Sequence, residues 1–185
     1  MNIEISVRNI LIVFIFCISF TNLYSQNNQV LDDKKGFKRF VIGDNKSKYE
    51  GQLKYYKTTT DGNTTGYILT SNNDDDLMVF KNRFDRILLF FDKQDKLETL
   101  NLVKDYNGDS FNTAMTELKE LMSNLMFIFG APTEKLGDDN SSLAGYGWVG
   151  KKIMLTCTNT YLSAKDGSQT EVMVSDYAKE IKAGF

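Results

Sequence analysis

The stretch from Asp109 to Phe129 constrains the fold most, because its apolar residues recur with the period of an α-helix. At 100° per residue they fall within an arc of about 140°, which is the width of a stripe that faces a core. The stripe consists of Phe111, Ala114, Met115, Leu118, Leu121, Met122, Leu125, Met126 and Phe129. Polar residues fill the opposite arc, and only Phe127 breaks the pattern. A helix of this length, about 30 Å, needs a flat apolar partner.

The ends of this helix carry recognisable boundary signals. Asp109 or Ser110 is suited to cap its first turn, where backbone N–H groups lack partners within the helix. Gly130 can adopt the left-handed conformation that ends a helix, and Pro132 prevents continuation. The sequence therefore predicts a helix that ends close to Phe129.

Segments with strand-like alternation predict an antiparallel sheet as the partner of the helix. The clearest is a hairpin from Arg86 to Val103, with a polar turn at Asp92 to Lys96. Other predicted strands are Gly36–Ile42, Gly66–Thr70, Leu77–Lys81, Ala144–Val149, Lys152–Thr158 and Thr170–Asp176. Ser47 and Glu50 have capping-box spacing, which predicts a short helix over Lys48–Tyr56. The fold class is α+β, an antiparallel sheet with one long and one short helix on one face.

The first residues have the pattern of a secretory signal. Arg8 supplies a positive charge, and Ile10 to Phe20 form an apolar run that is too short to cross a bilayer. We assign residues 1–25 to the signal peptide, 26–35 to a flexible segment and 36–185 to a single α+β domain. Cys17 lies inside the apolar run, so Cys157 is the single cysteine left after cleavage. The expected location is periplasmic or secreted, with no stable membrane span.

The two halves of the remaining chain follow one plan, a leading segment, a helix and several antiparallel strands. The units Gly36–Val103 and Asp109–Asp176 are compatible with two degenerate α-β repeats. The helix end Leu125–Pro132, with Phe-Gly-Ala-Pro at its close, and Trp148 on the following strand resemble the SmpA/OmlA (BamE-type) outer-membrane assembly proteins. Ile42-Gly43 before Ser47 adds to this resemblance, which extends to the tandem-repeat β-lactamase inhibitory proteins. It implies a non-catalytic module that binds other proteins through sheet or loop surfaces.

The composition removes most catalytic chemistry. The chain has no histidine, which excludes Ser-His and Cys-His nucleophile pairs and imidazole metal ligation. One remaining cysteine excludes thiolate zinc clusters, and Gly145, Gly147 and Gly150 match neither phosphate-binding glycine pattern. We therefore assign no catalytic residue, cofactor or metal. The net charge of −2 disfavours nucleic acid as a partner.

Two carboxylate chemistries stay open as alternatives. Asp105, Asn107 and Asp109 alternate like the start of a calcium loop, but Thr116 stands where a bidentate glutamate is required, which favours a turn and a helix cap. A glycosidase needs two carboxyl groups at a defined separation, and Asp74 to Asp76 or Asp138-Asp139 offer candidates. Both runs are polar, so solvated carboxylates of ordinary pKa are expected there.

Surface interactions are the third class of candidate. Tyr146 and Trp148 could form an exposed aromatic platform, although burial under a loop is the favoured alternative. Lys34 to Lys57 holds eight basic residues and two acidic ones, whereas Asp61 to Asp109 holds ten acidic and six basic residues. Such asymmetry suits an acidic partner, but solvated surface is the simpler interpretation.

The leading hypothesis is a non-catalytic exported binding module whose partner is another envelope protein. The uncovered sheet face and the loops at Thr58–Thr65 and Leu136–Ser142 are its expected binding surfaces. The alternative is a carboxylate-dependent hydrolase that acts on envelope glycans.

Overall fold

A computed structural model describes residues 29–70, 73–138 and 141–177. The predicted signal peptide, residues 1–25, lies outside these ranges. The strands in chain order are β1 (Gly36–Phe37), β2 (Phe40–Val41), β3 (Leu53–Thr58), β4 (Thr64–Leu69), β5 (Met78–Val79), β6 (Asn82–Arg83), β7 (Arg86–Asp92), β8 (Leu97–Tyr106), β9 (Glu134–Leu136), β10 (Leu143–Val149), β11 (Ile153–Ser163) and β12 (Gly167–Asp176). The helices are α1 (residues 29–34) and α2 (Phe111–Phe129).

Eight of these strands form one antiparallel sheet in the order β3-β4-β7-β8-β12-β11-β10-β9. The first four come from the part of the chain before α2 and the last four from the part after it, and the two sets meet where β8 pairs with β12. The predicted α+β class with an antiparallel sheet is confirmed, and so is the β7–β8 hairpin. One row of apolar side chains crosses five strands, namely Leu89, Leu100, Val174, Leu155 and Trp148.

The long helix α2 packs on this apolar face of the sheet, over β11 and β12. Its buried residues belong to the predicted stripe and are Ala114, Leu118, Leu121, Met122 and Leu125. Gly130 takes φ +77° and its N–H donates to the Met126 carbonyl oxygen at 2.8 Å, so the helix ends as predicted. The Ser110 side chain makes no capping hydrogen bond, which departs from the expected N-cap.

Phe127, the residue that breaks the stripe, is 92% exposed. Because its ring buries almost no surface, replacing Phe127 with serine should change the free energy of unfolding by no more than about 0.5 kcal/mol. The matched control is Phe129→Ser, since Phe129 is partly buried against the core and its loss should cost at least about 1 kcal/mol. Urea unfolding of both variants checks this, and equal losses would contradict the assigned helix orientation.

The predicted short helix over Lys48–Tyr56 is wrong. Lys46–Tyr49 forms a single 3-10 turn, which the Asn45 side chain caps by accepting from the Ser47 N–H at 3.2 Å. Gly51 then takes φ +75°, which turns the chain out of any helix, and Leu53–Thr58 pairs with β4 as an edge strand. The capping-box interpretation is therefore also wrong, because Asn45 caps the turn and Glu50 lies at its C-terminal end.

The short helix of the fold is α1, within the segment that the sequence assigned to flexible chain. Leu31 of α1 is only 4% exposed and belongs to the main core. Lys35 takes φ +48° and ends the helix, and its N–H donates to the Leu31 carbonyl oxygen. Leu31 approaches α2 and the same sheet face, so one long and one short helix share a face as predicted. Neither described helix is sufficiently long and apolar to span a membrane.

Two predicted strands, Gly36–Ile42 and Leu77–Lys81, are each broken by a tight turn. They form the small hairpins β1–β2 and β5–β6 instead, with Lys38 and Phe80 at positive φ in the turns. Phe40 of β2 is fully buried and stacks on Tyr49 with ring centroids 5.7 Å apart. This contact fixes the β1–β2 hairpin against the core.

Candidate functional site

An apolar cleft of about 410 Å³ lies where α1, the two small hairpins and α2 converge above the sheet. We call it the α1 cleft. Its floor consists of Leu155, Val172 and Val174 of β11 and β12. Its walls consist of Leu31 and Lys34 from α1, Gly36, Phe37 and Lys38 from the β1–β2 hairpin, Val79 and Phe80 from the β5–β6 hairpin, and Leu125, Ile128 and Phe129 from α2. Apart from the two lysines, every side chain in this lining is apolar.

Two turns in the walls of the α1 cleft have an unfavourable backbone conformation. Lys38 has φ +52° and Phe80 has φ +54°, in the left-handed region where a side chain costs roughly 1–2 kcal/mol. A two-residue hairpin loop requires positive φ, and glycine or asparagine is the usual residue there. Such strained positions are typical of ligand sites, and here both of them line one cleft.

Asp32 fastens α1 to the far end of the sheet. Its carboxylate accepts hydrogen bonds from three consecutive backbone N–H groups, those of Lys151 at 2.9 Å, Lys152 at 2.9 Å and Ile153 at 3.0 Å. These amides belong to the β10–β11 turn. A Cβ atom at Gly150 would lie 2.5 Å from the Asp32 carboxylate, so glycine leaves room for this contact. We call this arrangement the Asp32 clamp.

A second clamp joins the β1–β2 hairpin to the 3-10 turn Asp74–Leu77, which leads into β5. The Arg39 guanidinium makes a bidentate contact with the Asp76 carboxylate, with Nη2 at 2.8 Å and Nε at 3.1 Å, and also donates to the Gln52 side chain at 2.9 Å. Asp76 is 2% exposed. Lys38 of the same turn donates to the Asp75 carbonyl oxygen. The Arg39 clamp thereby holds the β1–β2 hairpin, which carries Phe37, to the turn that leads into the β5–β6 hairpin, which carries Phe80.

The Arg39 clamp also corrects one prediction. The run Asp74 to Asp76 was expected to be solvated, yet Asp76 is buried and paired with Arg39. Asp74 pairs with Arg83 at the surface at 2.8 Å. The other candidate run is exposed at Asp138, and Asp139 lies outside the described residues. Of these carboxylates, Asp76 is thus held in an ion pair and Asp138 lies at the surface.

The first of the calcium candidates, Asp105, is paired with a basic residue. Asp105 lies on the sheet face turned away from α2, where its carboxylate accepts from Arg86 and from Gln169 Nε2 at 2.7 Å. The hydrogen bonds from Arg86 hold the pKa of Asp105 below its ordinary value, against the opposing effect of burial. Asn107 makes no side-chain capping bond. In the described part of the chain, no group of three or more acidic or cysteine side chains could hold a metal.

The aromatic platform is not formed by Trp148. Its indole is 2% exposed, and Nε1 donates to the Gly130 carbonyl oxygen at 2.9 Å, so the alternative of burial is confirmed for this residue. Tyr146 is half-buried and packs against the core. It lines a second groove of about 470 Å³ between α2 and β9–β10, together with Met115, Met122 and Met126. Leu136 and Asp138 from the predicted binding loop also line this methionine groove.

The uncovered sheet face and the Thr58–Thr65 loop are the other predicted binding surfaces. The face turned away from α2 carries a mixed row of Leu88, Asn101, Met173 and Thr156. The Thr58–Thr65 loop is closed on itself, with Asp61 accepting from Thr59 Oγ1 at 2.6 Å.

Three of the eight basic residues in the Lys34–Lys57 stretch form ion pairs, two of them with later parts of the chain. Arg39 pairs with Asp76, and Lys46 lies 3.6 Å from Asp95. Lys48 pairs within the stretch with Asp44 at 2.7 Å. Long-range pairing therefore accounts for only part of the charge asymmetry along the sequence.

Two partly buried carboxylates outside the α1 cleft are each held by several donors. Asp44 Oδ2 accepts from Tyr49 OH at 2.6 Å, from Lys48 Nζ at 2.7 Å and from the Val41 N–H at 3.1 Å. Burial alone would raise the pKa of Asp44, but these hydrogen bonds outweigh it and lower the pKa. The pKa of Glu117 is also lowered, because hydrogen bonds from Lys104 and Tyr106 outweigh burial.

These two shifts predict a loss of stability in acid. A carboxylate whose folded-state pKa is depressed stabilises the fold above its unfolded pKa, and this contribution disappears as the pH falls through the folded pKa. The free energy of unfolding should therefore decline below about pH 5, near the ordinary range of Asp and Glu. Urea unfolding from pH 6 to 3 measures it, and Asp44→Asn with Glu117→Gln should flatten the decline. An unchanged slope in the double variant would contradict the assignment.

Comparison with known proteins provides no relative for this chain. No protein family matches the sequence, and neither a curated protein nor a solved structure is significantly similar to it. The functional argument therefore rests on the site itself.

Proposed function

We propose that this protein is a non-catalytic exported binding module and that the α1 cleft is its ligand site. The observation that carries the proposal is an apolar cavity over the sheet whose walls are held by two polar clamps, one at Asp32 and one at Arg39. Its volume falls in the range of about 300–1,000 Å³ that is typical of small-molecule sites. Desolvation of an apolar ligand would supply the binding energy, at about 25 cal/mol per Å² of buried surface.

The absence of catalysis is part of the proposal and draws support from the side chains near the cleft. The sequence contains no histidine, and Asp76, the best placed buried carboxylate, is committed to Arg39. A hydrolase would require a carboxylate pair free to exchange protons with substrate. The hydrolase alternative has no comparable support.

Export and the envelope location follow from the leader sequence, and they belong to the proposal. The envelope partner, and the kinship with SmpA/OmlA-type and β-lactamase inhibitory proteins, are likewise proposed. The two-repeat plan gains some support from the sheet, to which each half contributes four strands. It has one weakness, because the first half has a 3-10 turn where the second has α2.

A neutral fluorescent probe tests the ligand site. N-phenyl-1-naphthylamine should bind the wild-type protein with increased emission, because the α1 cleft excludes water from its rings. Ile128→Trp should weaken this binding by at least about tenfold, since Ile128 lines the cleft and a larger side chain occupies it. Phe127→Trp is the matched control, because it adds the same side chain one residue away on the exposed side of α2.

The outcomes separate clearly once folding is verified by circular dichroism. Loss of probe binding in Ile128→Trp alone supports the proposal. Equally strong probe binding in both variants would place the ligand site elsewhere. Absence of probe binding to the wild-type protein would contradict the existence of the site.

A further inference from the structure

We infer that the ligand of the α1 cleft is a single-chain anionic amphiphile, specifically a long-chain carboxylate. This inference rests on the proposed function and adds the chemistry of the ligand to it. It has two independent parts, an apolar interior that takes the chain and an unpaired cation at the rim that takes the head group.

The interior of the cleft fits a hydrocarbon chain. Its floor of Leu155, Val172 and Val174 offers no hydrogen-bonding side chain, and α2 adds Leu125 and Ile128. A polar ligand would lose its hydration there without replacement, at a cost of several kcal/mol per group. A flexible chain of methylene groups has no polar group to desolvate, and it can follow the space between the floor and the walls.

The rim of the cleft has only positive charge. Lys34 and Lys38 are the charged residues of the lining, and no carboxylate contributes to it. The Lys38 ammonium donates to the Asp75 carbonyl oxygen, so its role in the lining is that of an aliphatic stem. Lys34 is exposed and has no ion-pair or hydrogen-bond partner among the described residues. Its ammonium is therefore available to a carboxylate whose chain lies inside.

The methionine groove is less suited to this ligand. Its charged lining is mixed, because Asp138 lies there together with Lys119 and Lys135. An anionic head group would meet a carboxylate as well as ammonium groups. Charge complementarity therefore favours the α1 cleft for the acid.

Competition against bound N-phenyl-1-naphthylamine tests the inference. Three competitors of equal chain length are used below their micellar concentrations at pH 8, namely dodecanoate, dodecanol and dodecyltrimethylammonium. Dodecanoate should displace the probe at a concentration roughly two- to fivefold lower than the ammonium compound, as one solvent-exposed ion pair allows. Raising the salt concentration to 0.5 M should reduce this preference.

Lys34→Gln should abolish the preference for the anion, which is measured as the ratio of the dodecanoate and dodecyltrimethylammonium concentrations that displace half of the probe bound to the same variant. The matched control is Lys165→Gln, since Lys165 is also exposed but lies in the β11–β12 turn, at the opposite end of β11 from Leu155. Equal displacement by all three competitors, or an unchanged preference in Lys34→Gln, would overturn the inference and leave the proposed function standing. Displacement by none of them would overturn it in favour of an apolar side chain from a protein partner. Failure of the probe itself to bind would overturn the proposed function as well.

Discussion

Replacement of Asp32 with alanine is expected to release α1 from the sheet and to abolish ligand binding in the α1 cleft. The Asp32 carboxylate accepts hydrogen bonds from three backbone N–H groups at the β10–β11 turn. Hydrogen bonds to charged groups contribute about 1.5–3 kcal/mol each when buried. Because Asp32 is half-exposed, we expect a total loss of only about 2–3 kcal/mol in the free energy of unfolding.

Binding should weaken together with stability in this variant. Leu31 and Lys34 form one wall of the cleft, so affinity for N-phenyl-1-naphthylamine should fall at least about tenfold when α1 is released. Hydrogen exchange at the amides of residues 151–153 should accelerate in parallel. The control is Asp33→Ala, since Asp33 is exposed on the same helix, and it should change neither quantity.

Gly150 provides a second way to test the Asp32 clamp. A Cβ atom at this position would crowd the Asp32 carboxylate, so Gly150→Ala should reproduce the loss of probe binding. The effects of Asp32→Ala and Gly150→Ala should not add, because both remove the same contact. Additive effects would show that the two residues act independently and would contradict the clamp.

Replacement of Arg39 with methionine is expected to have the second large effect. It leaves the Asp76 carboxylate buried without its guanidinium, and removing one partner of a buried ion pair typically costs 3–5 kcal/mol. Arg39 itself is about one-third exposed, so we expect a smaller loss of about 2–3 kcal/mol. The Phe37 and Phe80 walls should then separate, and probe binding should weaken.

Arg83→Met is the matched control for this variant. Arg83 pairs with Asp74, but both side chains are more than half exposed, and such pairs contribute at most about 1 kcal/mol. Urea unfolding of the two variants provides the comparison. Similar losses for Arg39→Met and Arg83→Met would mean that the Asp76 carboxylate is solvated, which would contradict the Arg39 clamp.

The long helix and the centre of the sheet could be predicted because their signals are local and repeated. The α2 stripe recurs over five turns, so tertiary contacts reinforce the pattern instead of opposing it. The β7–β8 hairpin has a polar turn between two apolar runs, and its strands lie within the sheet. The end of α2 could be predicted from two residues alone, Gly130 and Pro132.

The short elements could not be assigned in this way, because long-range contacts decide them. α1 is fixed by Asp32, whose partners lie about 120 residues away in the β10–β11 turn. β3 contains Leu53 and Tyr56 at helical spacing, yet Gly51 and pairing with β4 make it a strand. Local propensity is a weak prior when neighbouring strands provide an alternative.

The candidate site could not be predicted from the sequence, because long-range contacts form it as well. The residues of its floor, Leu155, Val172 and Val174, lie on strands that the sequence predicted. Its walls could not be predicted, because Lys38 and Phe80 occupy turn positions where glycine or asparagine is usual. The sequence at these positions has no residue that signals a turn. The Arg39–Asp76 pair joins residues 37 positions apart and leaves no short motif.

Methyl NMR of the protein with N-phenyl-1-naphthylamine tests the central claim most directly. If the α1 cleft is the ligand site, shift changes should concentrate on the methyl groups of Leu125, Leu155, Val172 and Val174. The methyl resonances of Met115, Met122 and Met126, which line the other groove, should shift less than those of the cleft floor. The smallest change is expected at Met115, which lies farthest along α2 from the cleft residues Leu125 and Ile128. Changes that centre on those methionines, with the floor of the α1 cleft unaffected, would contradict the account.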